Sequence, residues 1–433
     1  MINNLKERFL QKILNTLSAP ALREMGWYTF SNFVSQGLSF LSILFISRYL
    51  GPTNLGLYSF VQNYTLTVLT VLSGSDFYFS WAIARSEDFA KDIKKFIIYR
   101  LHISILLSML GILAAVIILP KDVAIMCSIM LMPVFLNSFA IFHFYSLTKK
   151  RAKLVASLQI LSTTIIVLSK VSLVLLQAPL IYFIYVSAVE ITILSLVYLI
   201  FYLREKDLIR DIWKIKAPKV SDTFKFIFSI KMNILVIFLW QLLLRADQLI
   251  LAKVTNAYTL GIYASAVKIA EVPNFLAGIL YLTMISRMVP LIKSDSSHSH
   301  TRLRRVFYMY LLVGCLMSIV VIIFAPIAVK IIYGTRFLEA IPVLQVYAIS
   351  IPGVYLTFFF FSLFGAIDKH RVQALIFFLA VMLNITLVFV LTPIFGLVGT
   401  ASSTAISYTL AGLLFYIYWR SRFSNTNIEK SMV

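Results

Sequence analysis

QLLLRADQLILAKVTNAYTLGIYASAVKIAEVPNFLAG, residues 241–278, places Arg245, Asp247, Lys268 and Glu271 inside two stretches apolar enough to cross a membrane. A charge at the centre of a bilayer helix costs about 2.5–3.5 kcal/mol on insertion scales, so four charges belong against protein or water rather than acyl chains. Helical spacing gathers Asn233, Gln241, Arg245 and Gln248 on one face of the first stretch and Ser265, Lys268, Glu271, Asn274 and Gly278 on one face of the second. Ile, Leu, Val, Phe and Ala fill the opposite faces. The expectation is a polar cavity inside a helical bundle.

The rest of the chain has the same character. Its 433 residues are 60% hydrophobic, with a mean hydropathy of +0.90, which excludes a soluble globular domain. Apolar runs of the length that crosses roughly 30 Å of hydrocarbon recur at 26–48, 57–83, 96–119, 123–147, 157–178, 180–203, 229–252, 262–285, 305–325, 341–366, 372–393 and 395–419. The fold class expected is therefore an all-α polytopic membrane protein of 12 transmembrane helices, arranged as two six-helix lobes around a central cavity.

A net charge of +21 would suggest nucleic acid in a soluble chain, but here the cations sort by loop. The N-terminus (Lys6, Arg8, Lys12, Arg23), every second loop and the tail (Arg420, Arg422, Lys430) are basic, and Arg100 is grouped with Lys91, Lys94 and Lys95 in the loop after the second span. The alternate loops hold only Arg48, Lys121, Lys253, Lys330 and Arg336. By the positive-inside rule both termini are cytoplasmic, and anionic lipid headgroups are a secondary use of the charge. No nucleic-acid partner is expected. Residues 1–25 read as an amphipathic cytoplasmic segment, 26–203 as the first lobe, 204–228 as a basic linker, 229–419 as the second lobe and 420–433 as a cytoplasmic tail.

Leu55-Gly56-Leu57-Tyr58 and Leu260-Gly261-Ile262-Tyr263 follow the first and seventh spans, and Arg48 and Lys253 recur at the same offset. Six spans per half make this a parallel repeat, with a substrate path between the lobes. Short outer loops disfavour a membrane glycosyltransferase or polymerase. With no GxxxxGK[ST], HExxH or GxSxG pattern, no nucleotide, metalloprotease or hydrolase chemistry is indicated, and no enzyme activity, metal or cofactor is expected beyond a proton or sodium gradient.

Arg245 and Lys268, counted from the span ends, share a depth of roughly 10 Å, and Lys170 adds a third cation from the first lobe. Together with Arg48 they form a candidate cationic cavity for a pyrophosphate head. The alternative pairs Arg245 with Asp247 or Glu271, and Lys268 with Glu271, as structural bridges. Asn32, Gln159, Gln241, Gln248 and Asn274 are candidate polar lining. Asp76, Glu190, Glu271 and Asp247 are candidate ion-coupling carboxylates, with capping or hydrogen bonding open for Asp76. The run Phe358–Phe361 reads as lipid-facing bulk, Cys127 and Cys315 as inert packing, and the histidines as unclustered.

Several of these residues carry a resemblance. Arg48-Tyr49-Leu50-Gly51-Pro52, the Leu-Gly-x-Tyr pair, Arg245-x-Asp247 and Tyr263-Ala264-x-Ala266-x-Lys268-Ile269-x-Glu271 resemble the O-antigen and polysaccharide flippases (Wzx-type) of the multidrug/oligosaccharidyl-lipid/polysaccharide exporter superfamily. So do Ala325-Pro326, Tyr333-Gly334-x-x-Phe337-x-x-Ala340 and Gly396-x-x-Gly399-Thr400-Ala401. The resemblance implies alternating access by two lobes in a bacterial inner membrane. It implies an undecaprenyl-pyrophosphate-linked oligosaccharide carried to the periplasmic leaflet, ion coupling, and a polysaccharide polymerase and chain-length regulator as partners besides membrane lipids. An ion-coupled multidrug exporter of the same superfamily is the alternative.

Overall fold

A computed structural model describes residues 19–84, 89–204, 210, 212, 214, 216–281 and 297–423. Most of the expected surface segment 1–25, part of the linker 204–228 and most of the tail 420–433 lie outside the described residues. Within them the regular elements are helices. They are α1 Ala19–Ala84, α2 Phe89–Ile118, α3 Lys121–Leu131, a 3-10 stretch Met132–Ala140, α4 Ile141–Thr148, α5 Ala152–Leu175, α6 Leu180–Tyr202, α7 Val220–Ser229, α8 Lys231–Val254, α9 Ala257–Ala270, α10 Ser297–Ile332, a short 3-10 turn Thr335–Phe337, α11 Ala340–Ala348, α12 Ile351–Ala366 and α13 His370–Phe423.

Among the described residues eight helices are long and apolar enough to cross a membrane, or nine if the bent pair α11 and α12 is one span. This count differs from the twelve stretches of the sequence for local reasons. α1 and α13 each carry two of those stretches and bend at a glycine, Gly51 (φ 67°) and Gly396 (φ 60°), in the left-handed region where a side chain is strained. Pro52 and Pro393 sit beside these bends, where the missing N–H breaks the helical ladder. α9 has only 14 residues, ends in a turn at 271–273 that contains Pro273, and the stretch expected to reach 285 continues past the described residues.

The chain divides into two compact units, Met1–Ile46 with Asp76–Phe228, and Ser47–Ser75 with Ser229–Val433. The bend between the first two expected spans therefore packs in the second unit. In the first unit α2 and α6 close on the 3-10 stretch, which carries Pro133 in its first turn and interrupts a predicted span. The tighter 3-10 winding changes the direction of side chains relative to an α-helix, and Asn137 within it bonds Arg100 of α2 and the Ile191 carbonyl of α6.

In the second unit α13 lies along α8 and α12, and α10 packs on α12. Phe359 and Phe360 are fully buried there, among Phe307, Phe415 and Trp419. Phe359 and Phe360 meet edge to face with centroids 5.0 Å apart, and Phe360 stacks on Phe415 at 5.4 Å. The run read as lipid-facing is thus helix-packing core. Lipid tails are as apolar as phenylalanine, so close packing rather than escape from water selects this arrangement. An aromatic run carries no periodicity to distinguish the two settings.

Small residues set the tightest approaches. A Cβ at Gly56 would lie 2.0 Å from the Ala257 carbonyl oxygen, and one at Gly261 would lie 1.8 Å from the Pro52 oxygen. The two Leu-Gly-x-Tyr motifs, noticed as a repeat, are packed against each other within the second unit.

Candidate substrate and ion site

α8 carries Arg245 and Asp247 two residues apart, so they point to different sides of the helix and acquire different partners. Arg245 Nη1 lies 2.9 Å from Glu271 Oε1, at the C-cap of α9, and both side chains keep some exposure, 18% and 22%. Lys268 is half-buried three residues before Glu271, at the spacing that shares a helix face.

Asp247 faces inward and is fully buried. Its Oδ2 accepts hydrogen bonds from the Tyr263 hydroxyl at 2.6 Å and the Thr404 hydroxyl at 3.0 Å, and its Oδ1 accepts from the Gln248 backbone N–H at 2.7 Å. These donors hold the carboxylate without drawing on Arg245, so the expected alternative of an Arg245–Asp247 bridge gives way to Arg245–Glu271. Gln248 is buried beside it, and its Oε1 accepts from Asn63 Nδ2 at 2.8 Å. Asn384 Nδ2 reaches Thr404 at 3.4 Å, while the Asn384 Oδ1 is buried with no hydrogen-bond partner among the described residues. Asn274 Oδ1 is in the same position. Gln241 is half-buried on α8.

Arg48 engages the end of a helix. Its Nε donates to the Ile332 carbonyl at 3.0 Å and its Nη2 to the Ile331 carbonyl, so the guanidinium caps the C-terminus of α10. Such a cation meets both the orphan carbonyls and the negative end of the helix dipole.

Among the described residues of the first unit, Lys170 and Asp76 both lie in ion pairs. Lys170, 5% exposed on α5, lies 2.5 Å from Glu190 Oε2 on α6, so this candidate cavity cation is held in a buried ion pair. Asp76 pairs with Arg100, which is 2% exposed and also donates to Asn137 Oδ1 at 2.8 Å. Asp76, left open between coupling and capping, is thus an ion-pair partner, and Arg100 belongs to the protein interior rather than to the basic loop. Asn32 and Gln159 bond each other, Nε2 to Oδ1 at 3.0 Å, and Ser31 donates to the Gln159 Oε1 at 3.2 Å. Among the described residues no group of three His, Cys, Asp or Glu is placed to hold a metal. An apolar groove of about 590 Å³ between α2 and α3, with Lys121 in its lining, contains none of the candidate residues.

Sequence reasoning missed Arg100, Asn137, Tyr263 and Thr404 as site partners. For Arg100 the signal was available, since residue 100 falls inside the apolar stretch 96–119 and an intramembrane carboxylate at Asp76 calls for a cation.

This arrangement can be set beside known proteins. A comparison with curated proteins gives no match. Among solved structures, an inward-facing multidrug resistance MATE family transporter of the MOP superfamily superposes with a TM-score of 0.76 at 12% identity, covering 92% of this chain and 96% of that one. The lipid II flippase MurJ in an inward closed conformation gives 0.67 at 14%, over 91% and 87%. A MOP superfamily transporter from Pyrococcus furiosus, described as having a binding pocket of reverse polarity, gives 0.63 at 14%, over 93% and 96%. At these identities what is shared is the fold. A family model described as polysaccharide biosynthesis protein matches residues 21–292, more than half of the sequence, and the chain accordingly belongs to the polysaccharide biosynthesis protein family.

Proposed function

We propose that the protein carries a polyprenyl-pyrophosphate-linked oligosaccharide, an O-antigen or similar surface-polysaccharide unit, from the cytoplasmic to the periplasmic leaflet of a bacterial inner membrane. It does so by alternating access without breaking a covalent bond, draws on a proton or sodium gradient, and delivers its cargo toward a polysaccharide polymerase and chain-length regulator. Membership of the polysaccharide biosynthesis family and a fold shared with a lipid II flippase support a lipid-linked cargo. The single observation carrying the site is that Arg245, partly exposed, is held by one carboxylate rather than buried in a closed network. A pyrophosphate has the charge and fork geometry to replace Glu271 on that guanidinium, with Lys268 as a point charge nearby.

Asp247 is the coupling carboxylate in this reading. It is buried, its donors are hydroxyls and a backbone amide, and protonation or a bound cation changes which of Tyr263 and Thr404 it can hold. A multidrug exporter is the second reading, favoured by the likeness to MATE transporters. Positive charge at Arg245 and Lys268 opposes a cationic cargo there, and a relative with a pocket of reverse polarity supports variation in cargo on this fold.

The test is purified protein in vesicles loaded with lipid-linked oligosaccharide, scored by exposure of the glycan to an impermeant reagent, with and without proton or sodium gradients. Wild type exposes it, Arg245→Ala and Lys268→Ala do not, and Asp247→Asn loses the gradient dependence. Full transport in both alanine variants rejects the site. Absence of exposure by correctly folded wild type under either gradient rejects the function.

A further inference from the structure

α7, Val220–Ser229, has only ten residues, about 15 Å of helix and too short to cross a bilayer. It starts after Pro218, and Asp222 Oδ2 accepts from the Lys219 backbone N–H at 3.1 Å, one half of a capping box. Its inner face is an aromatic plug. Phe226 is buried in a socket made by Phe79 at 5.3 Å, Tyr99 at 5.0 Å, Tyr78 at 5.2 Å and Phe96 at 6.5 Å, and the neighbouring Thr223 bonds His102 Nδ1 at 2.8 Å. This face fixes the helix to the first unit.

Its outer face is equally apolar. Val220, Phe224 and Phe228, at helical spacing, are 53%, 56% and 67% exposed. Three large apolar side chains on one exposed stripe are out of place in water, while Lys216, Lys219 and Lys225 on the exposed side are out of place among acyl chains. After the single intervening residue Ile230, the membrane-crossing α8 begins at Lys231, which puts the short helix at the border of the bilayer. Apolar stripe, flanking lysines and border position together describe an interfacial helix. Half-buried Asp222 is the acidic residue of the segment, and it is turned to its own N-terminal amide.

We propose that α7 is a docking site for anionic lipid: Val220, Phe224 and Phe228 enter the acyl boundary while Lys216, Lys219 and Lys225 hold headgroup phosphates. The chain passes from the first unit to the second between Phe228 and Ser229, one of its three crossings, so α7 ends at a crossing in the sequence. A lysine near an anionic surface contributes about 1 kcal/mol, roughly a fivefold preference per residue over zwitterionic lipid at low salt.

The experiment uses full-length protein carrying Phe224→Cys in a Cys315→Ser background, Cys127 being buried, labelled with a fluorophore and placed in nanodiscs. Quenching by spin-labelled phosphatidylglycerol is compared with quenching by spin-labelled phosphatidylcholine at equal mole fraction. Both quench, phosphatidylglycerol more strongly by at least fivefold in relative affinity, and the ratio falls toward one at high salt and when Lys216, Lys219 and Lys225 are all changed to Gln. No quenching by either lipid overturns the proposal and assigns the stripe to a protein partner or second copy. Equal quenching overturns the charge selectivity. None of these readouts involves transport, so they stand apart from the proposed flipping.

Discussion

Gly261→Ala is the sharpest test of how Ser47–Ser75 is held. The added Cβ would start 1.8 Å from the Pro52 oxygen, 2.7 Å from the Pro52 carbonyl carbon and 3.0 Å from the Gly56 nitrogen. All three are backbone atoms, so no rotamer change relieves the contact. The bend and α9 must part by about 1.2 Å to restore the 3.0 Å below which such contacts are not found. Overpacking of this kind costs about 1–3 kcal/mol.

Under alternating access that cost falls on the packing seen here and spares any state in which the bend has left α9. The population of the present packing then drops by about 5- to 150-fold relative to such a state. Gly56→Ala meets the Ala257 oxygen at 2.0 Å and the Gly261 nitrogen at 2.8 Å, across the same gap. Once one substitution has parted the backbones, the second costs less. The double variant is therefore less destabilised than the two single effects summed, by about 0.5–3 kcal/mol. Thermal unfolding of purified single and double variants in detergent gives the stability order, and vesicle transport gives the functional one. Wild-type stability and transport in Gly261→Ala would falsify the tight contact, and strict additivity of the pair refutes a shared gap.

Two further outcomes follow from the charge partners. Asp76→Ala leaves the Arg100 guanidinium buried without its carboxylate, costing about 3–5 kcal/mol and much of the folded yield, and a second change, Arg100→Met, recovers most of it; size-exclusion profiles of the two variants decide the matter. Arg48→Ala removes the cap on the Ile331 and Ile332 carbonyls and costs only about 0.3–1 kcal/mol, seen as a small fall in melting temperature with no loss of expression.

The membrane class and the odd residues were legible in the sequence because both are governed by cost. Apolar runs are long where the bilayer is thick, and a charge such as Lys170 or Arg245 within a run is conspicuous for the same reason. Partners were less legible, since pairing depends on which helices touch. Lys170 meets Glu190 across twenty residues and two helices, and Asp76 meets Arg100 across another pair, neither at a spacing that a single helix reveals. Asp247 was read as a possible partner for Arg245, yet residues two apart face different ways, and a tyrosine and a threonine took the carboxylate instead. Repeat detection found the two Leu-Gly-x-Tyr motifs. Their mutual packing needed the backbone, because glycine marks a close approach without naming what approaches.

The Arg245–Glu271 pair bears most directly on the proposed cargo, because it admits two roles with opposite signs. A bare guanidinium would be costly in the empty protein, and Glu271 keeps the pair neutral whichever leaflet the site faces. If that is its whole purpose, Glu271→Gln leaves Arg245 unbalanced, lowers stability and lowers headgroup binding with it. If Glu271 instead stands where a pyrophosphate binds, the same substitution removes a competitor. At an effective dielectric of about 20 two charges 4 Å apart attract by about 4 kcal/mol, and partial exposure of both side chains reduces this. A residual gain of about 1.4 kcal/mol already tightens binding tenfold. Calorimetric titration of the detergent-solubilised protein with a short-chain prenyl pyrophosphate reads the sign directly: tighter binding by Glu271→Gln, with Arg245→Ala losing it, marks the pair as an exchange site, while weaker binding in both returns it to a structural bridge.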